Sequence, residues 1–261
     1  MNAWRQYLPL YWRLTGREWQ QRFAGSTLGL LWTLAGPLIQ LAIFSFVFGQ
    51  IFKGRVDGLG TDNYATFVAL GLWPWLMFSE GVLRGTTAVS SNGNLVKKAA
   101  FPHVVLVAAA VSAAFLAHLA GFAAVLVVLA ALGQSFKLSG LPALVLILGL
   151  MFLLALGLAM AFAALQVFVR DTEHALAPAL TMLQYLTPVL YPLTVLPEAY
   201  RGWLEWNPMV GYVTSVRAAL IPAAPDIAIL PSPAVVAASV VTFIVGLLLL
   251  RRLSPYFEDH L

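Results

Sequence analysis

Few side chains in this sequence are of types that catalyse reactions or bind metals, and most of them stand apart from one another. The closest grouping is Asp171, Glu173 and His174, a spacing that could form a metal site. They follow Arg170 in a short polar stretch between two apolar segments, which favours solvated side chains or a contact with another protein. His118 stands alone in a long apolar segment, where packing or an interhelical hydrogen bond is expected. We therefore predict no metal, no cofactor and no catalytic residue in this chain.

Familiar enzyme signatures are also missing. The sequence has no G-x-x-x-x-G-K-S/T phosphate loop, no G-x-S-x-G nucleophile turn and no H-E-x-x-H zinc motif. Glu80 and Arg84 do form a charged pair inside an apolar segment, four residues apart with the acid first, which is the favourable order on a helix. Because a charge at the middle of a bilayer costs at least about 2.5–3.5 kcal/mol, we expect both to face protein or water and to line a channel. Alternatively, Arg84 reaches the headgroups and Glu80 accompanies it.

The composition predicts which elements must position these residues. Of the 261 residues, 61% are apolar and 10% are charged, against about 25% charged in soluble domains. A helix needs roughly 20 apolar residues to cross a bilayer. We predict an all-α integral membrane protein of one domain (residues 1–261) with six spans: Leu28–Phe52, Ala65–Val89, Val104–Leu132, Leu141–Val169, Leu176–Leu196 and Ala234–Leu250.

The first 26 residues are predicted to form an interfacial helix. Between Pro9 and Phe23, aromatic residues such as Tyr11 and Trp19 recur at helical spacing, with arginines such as Arg13 largely on other faces. This pattern is typical of a helix that lies in the headgroup layer. A solvated helix that contacts another subunit is the alternative.

Residues 197–230 are too polar to span a membrane and too apolar for an ordinary loop. They contain Trp203, Trp206, Tyr212 and several prolines. We predict short re-entrant or interfacial helices that form an outer gate before the last span.

Basic residues predict the orientation. With six spans, nine basic residues fall on one side: Arg5, Arg13, Arg17, Arg22, Lys97, Lys98, Arg170, Arg251 and Arg252. Five fall on the other: Lys53, Arg55, Lys137, Arg201 and Arg217. The asymmetry places both termini in the cytoplasm. Because the basic residues are scattered, nucleic acid is not an expected partner, and the lack of cysteine excludes disulfides.

Several motifs resemble one transporter family. They are Arg22–Trp32 with Pro37, Asn92–Lys98 closed by Phe101-Pro102, Phe168–Asp171, Pro188–Pro192, and Trp206-Asn207-Pro208. In their order and positions they resemble the ABC-2 type permeases that export O-antigen, capsule and teichoic-acid polysaccharides.

The resemblance implies a homodimer in the inner membrane, paired with two copies of a separate ATPase that binds the ATP and magnesium. A lipid-linked polysaccharide, O-antigen above all, would be the substrate. Cytoplasmic segments would then couple the ATPase to the spans, through Asn94, Leu95, Lys97, Lys98, Phe101, Pro102, Arg170 and Asp171. Among these, we expect Leu95 and Phe101 to insert into the ATPase while the two lysines steer the contact.

Aromatic side chains offer weaker support for a sugar substrate. Flat rings stack on the apolar faces of sugars, so we predict that Tyr185 and Tyr191 line a channel, together with Glu80, Arg84, Trp203, Trp206 and Tyr212. A membrane aromatic belt formed by Trp73, Trp75, Trp203 and Trp206 is the alternative.

Two other functions remain open. An exporter of a small lipid or drug could share this architecture. A membrane transferase acting on lipid-linked sugars would need carboxylates or histidines converging at the membrane surface, and the apolar segments contain almost none.

Overall fold

The computed structural model describes residues 5–23, 29–47, 63–98, 101–204, 206–222 and 229–261. Parts of the predicted first span, interfacial helix and gate segment lie outside these residues, as do Lys53 and Arg55. The described part is helical throughout, without strands: α1 Leu8–Phe23, α2 Gly29–Phe44, α3 Tyr64–Thr87, α4 Gly93–Lys98, α5 Val104–Ala131, α6 Leu141–Phe168, α7 Thr172–Leu186, α8 Glu198–Leu204, α9 Pro208–Leu220, α10 Pro233–Leu253 and α11 Phe257–His260.

Four helices among the described residues are long and apolar enough to cross a membrane. They comprise α3, α5, α6 with its preceding turn, and α10 with α11. The helices α3, α5, α6 and α10 themselves begin and end within a few residues of four of the predicted spans. Apolar side chains also cover the outside of the bundle, including Val127, Val145 and Val241, each more than half exposed. Such a surface fits lipid as the solvent.

Local sequence explains where these helices begin and end. Asn63 caps α3 by accepting a hydrogen bond from the amide of Ala65. α5 ends at Ala131, and Gly133 two residues later has a φ of +91°, the left-handed conformation that glycine adopts readily. The amides of Gly133 and Gln134 then close onto the carbonyls of Ala130 and Leu129. The chain can therefore reverse direction within a few residues and enter α6.

Glycines bring the long helices into close contact. A Cβ on Gly85 of α3 would lie 2.6 Å from that of Ala159 on α6. A Cβ on Gly246 of α10 would lie 2.0 Å from the carbonyl oxygen of Gly157 on α6. Only glycine permits such an approach, which is common where membrane helices pack. Since Phe168 and Phe257 also meet at the ends of these helices, α6 and α10 run parallel as a tightly packed pair.

One predicted element differs in the structure. The fifth span was predicted over Leu176–Leu196, but α7 ends at Leu186 because the residue before Pro188 is disfavoured in a helix; Thr187 is extended. α7 is thus 15 residues long and is not among the helices long enough to cross. Of the predicted first span, residues 29–47 are described and are helical, and the rest lies outside the described residues.

The first helix also packs more closely than predicted. Leu14 and Thr15 of α1 are buried, and the hydroxyl of Tyr11 donates a hydrogen bond of 2.7 Å to Ser112 of α5. Arg17 binds the side chain of Asn92, so this arginine faces protein and not headgroups. Trp12, by contrast, remains more than half exposed.

Candidate functional site

A polar cluster lies inside the helical bundle around Glu80. Its carboxylate accepts hydrogen bonds from Arg84 Nε at 2.5 Å and from Arg22 at 2.9 Å, and Nε2 of His118 lies 2.6 Å from it. Because an ionised carboxylate only accepts, the hydrogen must reside on Nε2 of His118. The cluster ties α1, α3 and α5 together.

The sequence predicted part of this cluster. The ion pair between Glu80 and Arg84 and an interhelical hydrogen bond by His118 are both confirmed. Arg22 was missed, because it was counted only as a cytoplasmic basic residue. No local spacing joins Arg22 to Glu80, since 58 residues separate them.

The α4 end of the bundle, where α3 leads through α4 into α5, presents a basic helix. Lys97, Lys98 and Asn94 are exposed there, whereas Val96 is buried. Leu95 and Phe101 are half-buried and pack against the apolar core of the bundle, and Pro102 is also half-buried. Six of the predicted coupling residues thus lie at this end of the bundle. Their lysines are exposed, and Leu95 and Phe101 pack against the core.

A polar cavity of about 570 Å³ opens beside α4. It is lined by Ser90 and Ser91 before α4, by Arg170 and His174 at the turn into α7, and by His260 of α11. Arg170 and Asp171 are exposed, and Asp171 is not among the residues that line the cavity. The fold therefore brings Arg170 to the same end of the bundle as α4.

His103 lies at this end, just before α5. Burial lowers the pKa of His103, and the nearby carboxylate of Glu258 offsets part of this effect. Its Nδ1 lies 2.5 Å from the hydroxyl oxygen of Ser254, at the end of α10. His103 is therefore disposed to stay neutral while it holds the two helix ends together.

At the opposite end, which we call the α9 end, Arg217 is the central polar residue. It is buried, and its guanidinium donates hydrogen bonds to the backbone carbonyls of Phe67, Pro188 and Val189 at 2.6–3.2 Å. The same group lies 3.4 Å from the centre of the Phe67 ring. Carbonyls left free where α7 ends thereby gain donors. The sequence placed Arg217 among the outer loop residues and missed this role.

An apolar cavity of about 690 Å³ also lies at the α9 end. Its lining includes Tyr191, Trp203 and Trp206, three of the predicted channel or gate residues. Both tryptophans are largely exposed, by 79% and 88%, so they present flat rings to whatever enters.

The other two predicted aromatic residues lie elsewhere. Tyr185 is 57% exposed on α7. Tyr212 is fully buried between α9 and α10, where its hydroxyl lies 2.5 Å from that of Ser239. In this arrangement Tyr212 packs the α9 helix in place and does not face the cavity.

The belt interpretation is wrong for two tryptophans. Trp73 and Trp75 are each 1% exposed in the core of the bundle. A belt requires rings at the lipid surface, but α3 is surrounded by other helices at these two residues.

A bundle of long apolar helices with a basic helical connection at one end and short packed helices at the other is the architecture of a multi-pass membrane transport subunit. The ABC-2 type transporter family matches residues 9–221, and the chain belongs to that family. The family suggested by the motifs is thus confirmed.

Individual relatives support the same assignment. The chain is 35% identical to the O-antigen export system permease protein RfbA of Myxococcus xanthus, over 82% of this chain and 80% of the relative. It is 27% identical to RfbA of Klebsiella pneumoniae, over 78% and 77%. It is 25% identical to the polysialic acid transport protein KpsM of Escherichia coli, over 79% of each chain.

Proposed function

We propose that this chain is the membrane-spanning subunit of an ATP-driven exporter that moves a lipid-linked polysaccharide, O-antigen above all, across the inner membrane. It works as a homodimer with two copies of a separate ATPase, which binds ATP and magnesium. Family membership and relatives that transport O-antigen or polysialic acid support the proposal.

The observation that carries the proposal is α4, a basic helix held between two long apolar helices in a chain whose sequence contains no phosphate loop. Such a chain needs a second protein to hydrolyse ATP. Lys97 and Lys98 are free to steer that protein, and half-buried Phe101 can present the exposed part of its ring as an anchor. Movement of α4 would then pass into α3 and α5.

Phe101→Ala tests this docking surface. We expect less ATPase to be recovered with the purified permease, or weaker stimulation of ATP hydrolysis by substrate, while the amount of permease in the membrane is unchanged. Phe136→Ala is the matched control, because Phe136 is also half-buried but lies at the other end of the bundle. If Phe101→Ala behaves like the control, α4 is not the docking element.

The two lysines call for a separate test. Replacement of both Lys97 and Lys98 by Gln should slow association with the ATPase and should leave a milder defect than Phe101→Ala. Their steering effect is electrostatic, so the difference from the unaltered protein should shrink as the salt concentration rises. Lys137→Gln, at the α9 end, serves as the control.

In this proposal the α4 end is cytoplasmic. Lys97, Lys98, Arg251 and Arg252 are exposed there, and this excess of basic residues fits the positive-inside rule. In the same proposal, α2 and α7 are the two further spans, α7 together with the turns and the short 3-10 helix Leu193–Val195 that follow it. Cysteine labelling can test the topology, since the chain has no cysteine. A cysteine at position 203 should react from outside intact cells, and one at position 97 only after the inner face is opened.

Deletion of the gene tests whether the exported substrate is a polysaccharide or a small lipid or drug. In the species that carries this gene, its loss should abolish polymer at the cell surface and leave lipid-linked polymer inside the cell. Reintroduction of the gene should restore export when the partner ATPase is present. It should not restore export when the ATPase is absent. Normal surface polymer in the deletion strain would contradict the proposal.

A further inference from the structure

The C-terminal segment, residues 254–261, closes over the same end of the bundle as α4. Its central residue, Phe257, is fully buried although it follows a helix that ends in exposed Arg251 and Arg252. A large side chain with no exposure at the very edge of a membrane bundle requires a dedicated socket. This socket is formed with two other parts of the chain.

The ring contacts of Phe257 identify that socket. The ring centre lies 5.4 Å from that of His103, which precedes α5, and 6.0 Å from that of Phe168, the last residue of α6. The ring of His260 stacks edge-on against Phe168 at 4.8 Å, and Ser254 binds His103. The segment thus joins the beginning of α5 to the end of α6.

The segment also reaches α4 itself. A Cβ built on Gly93, the first residue of α4, would lie 3.5 Å from the Cβ of Leu261. The last residue of the segment therefore rests against the beginning of the helix that is proposed to dock on the ATPase. The local sequence of α4 does not predict this contact, because the two residues are 168 positions apart in the sequence.

The segment continues directly from α10, which is packed without a gap on α6. The backbone of Gly246 contacts that of Gly157, so the two helices are closely packed at this point. A displacement of α4 would reach α3 and α5 through the chain, and α6 through the packing of Gly85 on Ala159. Phe257 and Leu261 add a second, direct contact between the α4 end and the α6–α10 pair.

We propose that residues 254–261 act as a strut that carries the movement of α4 to the α6–α10 pair, with Phe257 as its positioning residue. This inference rests on the proposed docking role of α4. It differs from that role because it concerns how the movement spreads after the ATPase has bound. If the packing of residues 254–261 is weakened, the ATPase should still bind to α4, but ATP hydrolysis should no longer drive export efficiently.

Phe257→Ala is the first test, with Tyr256→Ala as its matched control, since Tyr256 is the adjacent aromatic residue and is 57% exposed. In the purified complex with the ATPase, Phe257→Ala should retain ATPase binding and basal hydrolysis. Export per ATP hydrolysed should fall at least about fivefold, the lower range of ordinary coupling between sites. The control should match the unaltered protein. If Phe257→Ala exports as well as the control, the strut proposal is overturned.

An engineered disulfide provides the second test, because a covalent bond can replace the packing that is lost in Phe257→Ala. The 3.5 Å spacing of the two Cβ positions falls in the range for disulfides, and no native cysteine competes. Gly93→Cys with Leu261→Cys should cross-link on oxidation in reconstituted vesicles. When these changes are combined with Phe257→Ala, oxidation should restore export and reduction should remove it again. A purely structural role of Phe257 would give no such reversible rescue.

The same cysteine pair tests the strut even if Phe257→Ala fails to insert. With Phe257 present, oxidation should leave export of the double-cysteine protein at the level of its reduced form, because α4 and the segment move together. Loss of export on oxidation would show that they must separate, and would overturn the inference. If instead the unaltered permease does not engage the ATPase, it is the proposed function that fails.

Discussion

The carboxylate of Glu80 on α3 lies 2.6 Å from Nε2 of His118 on α5, and the same carboxylate also binds Arg22 and Arg84. One acid thus holds together three basic groups from three helices. Removal of its charge leaves two arginines, in a largely apolar setting, without a counter-ion. Neutralisation of this one carboxylate is therefore expected to weaken the packing of α1, α3 and α5.

Glu80→Gln keeps the size of the side chain and removes the charge. Loss of one partner from a fully buried ion pair costs about 3–5 kcal/mol, and the partial exposure of Glu80 reduces this cost. We expect export to fall more than the amount of permease in the membrane. Glu18→Gln is the control, since its 3.7 Å pair with Arg17 is longer and Arg17 is 40% exposed. Normal export by Glu80→Gln would favour a passive role in which Arg84 reaches the headgroups.

Arg217→Met removes the donor that serves the carbonyls of Pro188 and Val189, just after α7, and that of Phe67 on α3. Each buried carbonyl left unpaired costs about 1–3 kcal/mol, so the melting temperature in detergent should fall. Arg217→Lys should be intermediate, because an ammonium group cannot match the guanidinium fork. Arg201→Met is the control: Arg201 also binds carbonyls, those of Leu196 and Thr194, but on the surface. Equal melting temperatures for the Met variants at 217 and 201 would contradict the assigned role.

Tyr185 offers an exposed ring for contact with passing sugar. Tyr185→Ala and Tyr185→Leu should both lower export, because leucine restores bulk but not a flat face. The dimer should remain folded in both. Met182→Ala, at an exposed position three residues earlier, is the control. Full export by Tyr185→Leu would show that the ring only packs.

Tyr191 requires a different substitution, since its hydroxyl donates hydrogen bonds to the carbonyls of Tyr185 and Leu186 at the end of α7. Tyr191→Phe keeps the ring and removes only these bonds. It should export normally with a slightly lower melting temperature, whereas Tyr191→Leu should lose export as well. A loss of export with phenylalanine would mean that the hydroxyl, not the ring, is required.

His103 predicts a pH dependence at the α4 end. Burial lowers its pKa in the folded protein below the unfolded value. The stability that depends on neutral His103 is thus complete above about pH 6.5, and it is lost as the pH falls toward the folded pKa. Glu258 opposes this shift, and Arg251 lines the same small cavity as His103.

The measurement is the melting temperature between about pH 7.5 and pH 5.5. His103→Gln, which can still bind Ser254, should show a smaller decrease than the unaltered protein. His174→Gln, at an exposed histidine of the same end, should retain the full decrease. The same decrease in both variants would exclude His103 as the responsible group.

The sequence was informative wherever local composition decides the structure. Long apolar runs specify α3, α5, α6 and α10 to within a few residues, because their length and lack of charge leave few alternatives in lipid. The motif around Lys97 and Lys98 was predicted to lie between the second and third spans, and the structure has the short helix α4 there. The end of α7 was misplaced, since the sequence remains apolar past Pro188 and the proline was not read as the end of the helix.

Contacts between distant segments could not be predicted in the same way. Arg22 with Glu80, Arg217 with the end of α7, and Phe257 with Phe168 each depend on how whole helices pack. An arginine among apolar residues, as at Arg217, was the one local sign of an interior role. The side-chain environment of Phe257 had no sequence signal that we could identify.

ATP-dependent uptake of lipid-linked polysaccharide into inside-out membrane vesicles tests the central claim most directly. Vesicles that contain this chain and its ATPase should accumulate the polymer only when ATP is added. Phe101→Ala should abolish most of the accumulation, while Phe136→Ala should not. Accumulation that needs no ATP, or ATP-driven uptake of a small lipid or drug without any uptake of the polymer, would contradict the account.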